Sequence, residues 1–289
     1  MTKPETPSQN DDFQTLLNYK GPDEVIQWEE YRKGAAEHRK SIVVIPSGYH
    51  EFDSYLGGGF ASGEMVVVSG NTGQGKTLFV RSLVRNFALQ DVPTLVLSYE
   101  VPTDQLLENY EGLPNCKTIY VPKELKMNDT EWIRKKVLEA RAKFDNKIVV
   151  IDHLHYIVSL SNQKNFSLTV GDALRTLKYR IAIELNQVVI VICHQQSLGS
   201  DEEPSIHTMR DSSFVGQEPD NVLIVHRIPD KTYNIVDSGG LKTKKEKIPP
   251  NEWTYDLGQA FVKIDKARRT GTYKKKVNFV KRGAWLESI

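Results

Sequence analysis

Residues 65–77 read Met65-Val66-Val67-Val68-Ser69-Gly70-Asn71-Thr72-Gly73-Gln74-Gly75-Lys76-Thr77, an apolar, β-rich run passing directly into a glycine-rich turn that ends in Lys and Thr. The eight residues from Gly70 to Thr77 match the phosphate-binding loop, which requires a strand before it and a helix after it. Glycines let the backbone curl so that its N–H groups point inward at phosphate oxygens, and the helix starting near Lys76 adds a favourable dipole. Gly70, Asn71, Thr72, Gly73, Gln74, Gly75, Lys76 and Thr77 are therefore candidate nucleotide-binding residues. Lys76 is expected at the β- and γ-phosphates and the Thr77 hydroxyl on magnesium. The chain has no Asn-Lys-x-Asp guanine-reading signature, which favours ATP over GTP, so ATP and Mg2+ are the expected ligands.

On either side of this loop, apolar runs alternate with helical patterns. The runs at 65–69, 94–98, 148–151, 188–192 and 222–225 are continuous rather than alternating, and helices are expected at 76–90, 103–110, 129–144 and 167–185. Strands without a polar face are buried on both sides, so the fold class is α/β with a mainly parallel central sheet flanked by helices. The run at 148–151 ends in Asp152, where a carboxylate can hold magnesium through water opposite the loop. Glu100 ends the run at 94–98; it is either a base that orients the attacking water or a solvated strand-end acid.

Residues 1–20 are polar and rich in Pro, Ser, Asn and Asp, a composition that does not offset the entropy of ordering, and a flexible tail is expected. Residues 21–41 are read as a linker helix starting at Gly21-Pro22-Asp23-Glu24, with Val25, Trp28, Tyr31 and Ala35 at helical spacing, and residues 42–289 as one ATPase domain. The linker either docks on a neighbouring subunit or folds back on its own domain. The stretch 229–258, with Gly239-Gly240, a Lys-rich run at 242–247 and Pro249-Pro250, breaks the rhythm and is expected to be a mobile excursion or a hairpin. The net charge is only +1, yet Lys263 to Arg282 carries nine basic side chains against one acidic one, making a local basic face available. Cys116 and Cys193 have no metal-ligand spacing and imply neither a disulfide framework nor a zinc site. No apolar run approaches the roughly 18 residues of a membrane span, and no membrane partner is expected. The start MTKPETPSQNDD lacks the regions of a signal peptide. The expected location is the cytosol, the equivalent compartment of an infected host, or an organellar matrix.

From about Ile45 onward the chain resembles the RecA-like motor domain of the DnaB-type replicative helicases, including phage and mitochondrial relatives. The resemblance is carried by Pro46-Ser47-Gly48 through Phe52-Asp53, Leu56-Gly57-Gly58-Gly59, Gly63-Glu64, the phosphate loop, Ser98-Tyr99-Glu100-Val101, Asp152-His153-Leu154, and Leu174-Arg175 to Leu185-Asn186. It implies a RecA-like P-loop NTPase fold and makes Glu100 the catalytic base. After the run at 188–192 it implies a γ-phosphate sensor, which falls on His194, with Gln195 as the alternative. Pro204 through Met209-Arg210-Asp211-Ser212-Ser213, then Gln217, Asp220 and Arg227, resembles the stretch holding the DNA-facing loop, and makes Arg210 and Gln217 candidate DNA contacts. Thr208 and Ser213 depart from the family pattern there. Lys266-Ala267-Arg268, followed by Thr270-Gly271-Thr272 and placed one strand before the end, resembles the Lys-x-Arg element whose cations reach the neighbouring subunit's γ-phosphate. A planar guanidinium suits the charge that builds on a transferred phosphoryl group. Arg269, Lys274, Lys275 and Lys276 are read as surface.

The function so implied is an ATP-dependent helicase that forms a ring, expected to have six subunits, and moves on single-stranded DNA during replication, with a primase or polymerase as candidate partners. Binding that follows the backbone would be sequence-tolerant and salt-sensitive. The alternative is a RecA- or KaiC-like DNA-binding ATPase that unwinds nothing. A non-catalytic accessory subunit is a third reading, against which the Lys76, Thr77, Glu100 and Asp152 set argues.

Overall fold

The β-branched runs form the centre of a single sheet. The computed structural model describes residues 14–21, 24–40, 42–108, 110, 116–158, 166–194, 205–208, 212–227, 230–237, 240–247 and 259–289, and the chain divides into two units, Met1–Ile42 and Val43–Ile289.

In the first unit, helix α1 (Trp28–Lys40) begins several residues later than the sequence reading placed it. Glu24 is held in a turn, its N–H donating to the Gly21 carbonyl at 3.1 Å and its carboxylate paired with Lys20 at 2.7 Å. Glu29 and Glu30 fill the first helical turn instead, where acids complement the dipole. Trp28 and Tyr31 stack with ring centroids 6.1 Å apart and are 72% and 58% exposed.

The second unit runs β1 (Val44–Ile45), α2 (His50–Tyr55), β2 (Phe60–Ala61), β3 (Met65–Ser69), α3 (Lys76–Leu89), β4 (Thr94–Ser98), α4 (Thr103–Glu108), β5 (Ile119–Tyr120), α5 (Thr130–Phe144), β6 (Ile148–Asp152), α6 (Phe166–Thr176), β7 (Val188–Ile192), α7 (Ser212–Gln217), β8 (Asn221–Arg227), β9 (Asp230–Asp237), β10 (Gly240–Lys247), β11 (Gln259–Ala267), β12 (Lys275–Arg282) and β13 (Trp285–Ser288). The helix expected at 167–185 is α6 continued by a π-helical stretch, Leu177–Ile183. Nine strands form the main sheet in the order β13-β12-β11-β8-β3-β7-β6-β4-β5. From β8 to β5 every neighbouring pair is parallel. Successive side chains of a strand point to opposite faces, and β3 shows the result: Val66 and Val68 join a core with Phe79, Leu83 and Phe87 of α3, whereas Met65 and Val67 join one with Ile133, Leu174 and Ile181.

The other edge, β11-β12-β13, is antiparallel. Two strands therefore follow the Lys266-Ala267-Arg268 element, not one, because the chain reverses at Gly283, which has φ +56°, a conformation that costs glycine little. Within 229–258, β9 and β10 form an antiparallel pair; residues 248–258 lie outside the described ones. The basic run is also less of a surface than its composition implied. Lys263 is 3% exposed and pairs at 3.4 Å with Asp265, itself 1% exposed. Arg269 is exposed, as read, but anchored there: it pairs with Glu64 at 2.8 Å and donates to the Leu56 and Gly59 carbonyls, each at 2.7 Å. Among the described residues no helix is long and apolar enough to cross a membrane.

Candidate nucleotide site

The phosphate loop leaves β3 and enters α3 as its sequence demands. Gly70 sits at φ +152°, and a Cβ there would run into the Val225 carbonyl, so strand β8 can approach only a glycine. Gly75 is the N-cap of α3 in a left-handed conformation, φ +94°, which turns the loop amides toward the helix axis. Gln74 accepts from the Arg227 N–H through its side-chain oxygen, tying the loop to the end of β8. The Lys76 ammonium is buried and donates to two carbonyls of its own loop, Gly70 at 2.9 Å and Asn71 at 3.1 Å. Burial lowers its pKa, against the raising influence of Glu100 and Asp152.

Register brings the carboxylates to the same end of the sheet. Ser98 of β4 pairs with Asp152 of β6, and the N–H groups of Tyr99 and Glu100 both donate to the Asp152 carbonyl, at 2.6 and 3.2 Å. Asp152 is 5% exposed, hydrogen-bonded by Thr77; the Glu100 side chain is 44% exposed. His194 follows β7 and meets His153 with ring centroids 4.1 Å apart. A cavity of about 350 Å3 is lined by Thr72, Gly73, Gly75, Lys76, Thr77 and Leu78 of the loop and helix, by Glu100 and His194, and by Arg81 and Lys281. The last two were not singled out from the sequence, because α3 and β12 are remote in the chain and meet only when the antiparallel edge folds over α3. A larger cleft of about 580 Å3, lined by residues such as Tyr120, Lys123, Trp132 and Phe144, contains no loop residue.

Burial, and secondarily the nearby Glu100 charge, raises the Asp152 carboxyl to about 6 from an ordinary 3.8, against the lowering influence of Thr77 and Lys76. A carboxyl whose folded pKa lies above its unfolded one costs stability as it ionises. The cost is absent below about pH 4, grows as pH rises from about 4 to 6, and is complete above that. Asp152→Asn is accordingly expected to stabilise the protein without nucleotide or metal at pH 7, by about 2–3 kcal/mol, and to leave stability at pH 4 nearly unchanged. Thermal melts at the two pH values check this. The same burial suits a divalent cation: the Asp152 carboxylate has a buried oxygen, Oδ1, without a hydrogen-bond partner, and Thr77 stands beside it, an oxygen donor set of the kind magnesium takes.

Lys266 and Arg268 lie elsewhere. Ala267 pairs with Asn221 and Asn221 with Val66, so the element sits at the start of β3, while the phosphate loop leaves its end. The five residues of β3 separate the two by roughly 16 Å. There the Lys266 ammonium donates to the Gly216 and Gln217 carbonyls at 3.0 and 2.9 Å. Arg268 donates to Gln217 O at 2.9 Å and pairs with Asp220 at 3.4 Å. Asp220, which also binds Lys178 and accepts from the Met65 N–H at 2.8 Å, was quoted from the sequence only as part of a motif; here it positions Arg268. Gln217 is exposed and contributes its backbone to this cation cluster. Arg210 and Gln195 lie outside the described residues.

A family model described as DnaB-like helicase C terminal domain matches residues 111–287, and one described as KaiC, an ATPase, matches residues 45–116. The chain is 25% identical over 227 residues to a replicative DNA helicase DnaB of Leifsonia xyli subsp. xyli, an alignment covering 67% of this chain and 49% of that protein. It is 24% identical over 238 residues to a replicative DNA helicase DnaC of Bacillus subtilis, covering 71% and 52%. The chain thus spans about half the length of the curated relatives it matches. Among solved structures, an ATPase domain superposes with a TM-score of 0.65 at 17% identity, covering 88% of this chain and 95% of that one, a likeness of fold.

Proposed function

Since the chain belongs to the DnaB-like helicase C-terminal domain family, we propose that it is the motor of an ATP-dependent, ring-forming DNA helicase that translocates on single-stranded DNA during replication. The observation that carries this reading is the division of the chemistry between the two ends of the sheet. Lys76, Thr77, Glu100, Asp152 and His194 gather where the parallel strands end, and Lys266 and Arg268 gather at the opposite end. A cation cluster that cannot reach its own phosphate loop is suited to completing another copy's, and such head-to-tail contacts close into rings. Six subunits, single-stranded DNA in the channel with Arg210 and Gln217 as contacts, and a primase or polymerase partner belong to the same reading. So does α1, whose exposed Trp28 and Tyr31 offer a neighbouring subunit an apolar face.

In this mechanism the loop amides and Lys76 hold the β- and γ-phosphates of ATP, and Thr77 and Asp152 would hold Mg2+, which would supply charge neutralisation at the phosphate oxygens. Glu100 accepts a hydrogen bond from the attacking water and draws off its proton as the water oxygen bonds to the γ-phosphorus and the bond from that phosphorus to the β,γ-bridging oxygen breaks, so that ADP leaves and phosphate is formed. His194, touching the same cavity from β7, senses whether the γ-phosphate is present. Arg268 and Lys266 of the adjacent copy stabilise the transferring phosphoryl group, so hydrolysis reports to the next subunit.

Strand displacement tests the proposal: with ATP, the protein is expected to unwind a forked duplex and to hydrolyse ATP faster when single-stranded DNA is added. Stimulation without displacement would select a DNA-binding ATPase of the KaiC or RecA kind, and neither effect would remove the motor reading. Glu100 separates binding from chemistry. Glu100→Gln is expected to keep ATP affinity within about threefold while turnover falls by about 10²-fold or more; a collapse of affinity with turnover of the bound fraction intact would make Glu100 a binding residue.

A further inference from the structure

His153 is a buried side chain at the nucleotide site that the mechanism above does not use. It follows Asp152 at the end of β6, is 5% exposed, and has its Nδ1 buried without a hydrogen-bond partner. Its ring is fixed on two sides, edge-on to Tyr156 at 4.8 Å and to His194 at 4.1 Å between centroids, with Nδ1 3.7 Å from the Glu100 carboxylate. Asp152 Oδ1 is the second buried atom without a hydrogen-bond partner here. Donor atoms of Glu100, Asp152 and His153 all lie within 4.8 Å of one another. A buried polar atom left unsatisfied costs about 1–3 kcal/mol, and two that converge with a third donor, the Glu100 carboxylate, are most simply satisfied together by one cation.

We propose that Glu100, Asp152 and His153 form a divalent-cation site of one imidazole and two carboxylates, which selects a borderline transition ion such as manganese or cobalt(II) over magnesium. The choice of ion follows from the donor set: imidazole suits first-row transition metals, whereas magnesium takes oxygen and keeps most of its water. All three donors belong to the protein, so the ion binds without nucleotide, unlike an ion held chiefly by phosphate oxygens and Thr77. The inference shares both Asp152 and Glu100 with the nucleotide-site reading, on which it rests for calling this the nucleotide site, but its readout is metal binding alone.

The test uses the full chain, free of nucleotide and magnesium, titrated with Mn2+ and followed by electron paramagnetic resonance. One Mn2+ per chain is expected, with a pulsed-EPR modulation from a directly bound 14N that changes to the 15N pattern when histidine is 15N-labelled. Magnesium in tenfold excess should not displace it. His153→Asn should remove the nitrogen modulation and weaken Mn2+ binding by about tenfold or more, while His194→Asn keeps the modulation. That second variant assigns the nitrogen even if His153→Asn does not fold. An oxygen-only manganese signal in the wild type, binding only when nucleotide is added, or nitrogen modulation lost in His194→Asn would overturn the site. ATP affinity measured on the same samples keeps the two readings apart. Normal MgATP binding with no nitrogen-bound manganese sinks only this inference, whereas nitrogen-bound manganese without any ATP binding sinks the nucleotide site and leaves this one standing.

Discussion

Lys76→Ala is expected to abolish ATP hydrolysis, with turnover falling at least about 10²-fold and ATP binding weakened. The Lys76 ammonium is the one side-chain cation the loop itself carries, and it is already desolvated: 7% exposed and bonded to the Gly70 and Asn71 carbonyls. Bound phosphate would replace neutral carbonyl partners with charged oxygens, in surroundings where water screens little, so the interaction is strong and grows as charge builds on the γ-phosphoryl. Alanine leaves the loop amides in place but removes that charge. Steady-state ATPase with single-stranded DNA present measures the effect; turnover within about threefold of wild type would remove the phosphate-loop reading and everything resting on it.

How much of this was readable beforehand differs from element to element. The strands at 65–69, 94–98, 148–151 and 188–192 announced themselves because a continuous apolar run is stable only when both faces are covered, and the phosphate loop followed from its glycines. Lys76 and Thr77 came from the loop itself and Asp152 from the end of its run, whereas Glu100 received its role only from the family resemblance. The antiparallel edge was harder: β12 reads Lys-Lys-Val-Asn-Phe-Val-Lys-Arg, where only Val277 and Phe279 are fully buried, too weak an alternation to stand out among lysines. Lys263 was counted into an available basic face, and Asp265 only as the one acid within it. Their burial depends on being two positions apart on the same face of β11, next to the irregularity between Ile264 and Lys266, which composition does not encode. The anchoring of the exposed Arg269 was hidden for a related reason, since its partners Glu64, Leu56 and Gly59 come from more than 200 positions away. His153 was visible only as the residue after Asp152; its approach to Glu100 depends on the pairing of Ser98 with Asp152 across β4 and β6.

Arg268→Ala is the second change expected to silence the enzyme, with a loss of about 10³–10⁵ in turnover and little effect on ATP affinity. In its own chain the guanidinium is anchored at the far end of β3 by Asp220 and the Gln217 carbonyl, pre-aimed rather than free, and the register places it a strand's length from its own phosphate loop. In the proposed mechanism its charge acts on a nucleotide held by another copy. Asp220→Asn should lower turnover in the same direction but less, since it loosens the aim without removing the cation.

Mixing inactive Arg268→Ala with inactive Lys76→Ala across a range of ratios, allowing subunits to exchange, and measuring ATPase with single-stranded DNA tests the shared site most directly. Boundaries in which an intact Arg268 faces an intact Lys76 then arise, and activity is predicted to reappear and to peak at intermediate ratios. No recovery at any ratio, with mixed assemblies verified by native mass spectrometry, would contradict an active site completed by the neighbouring subunit.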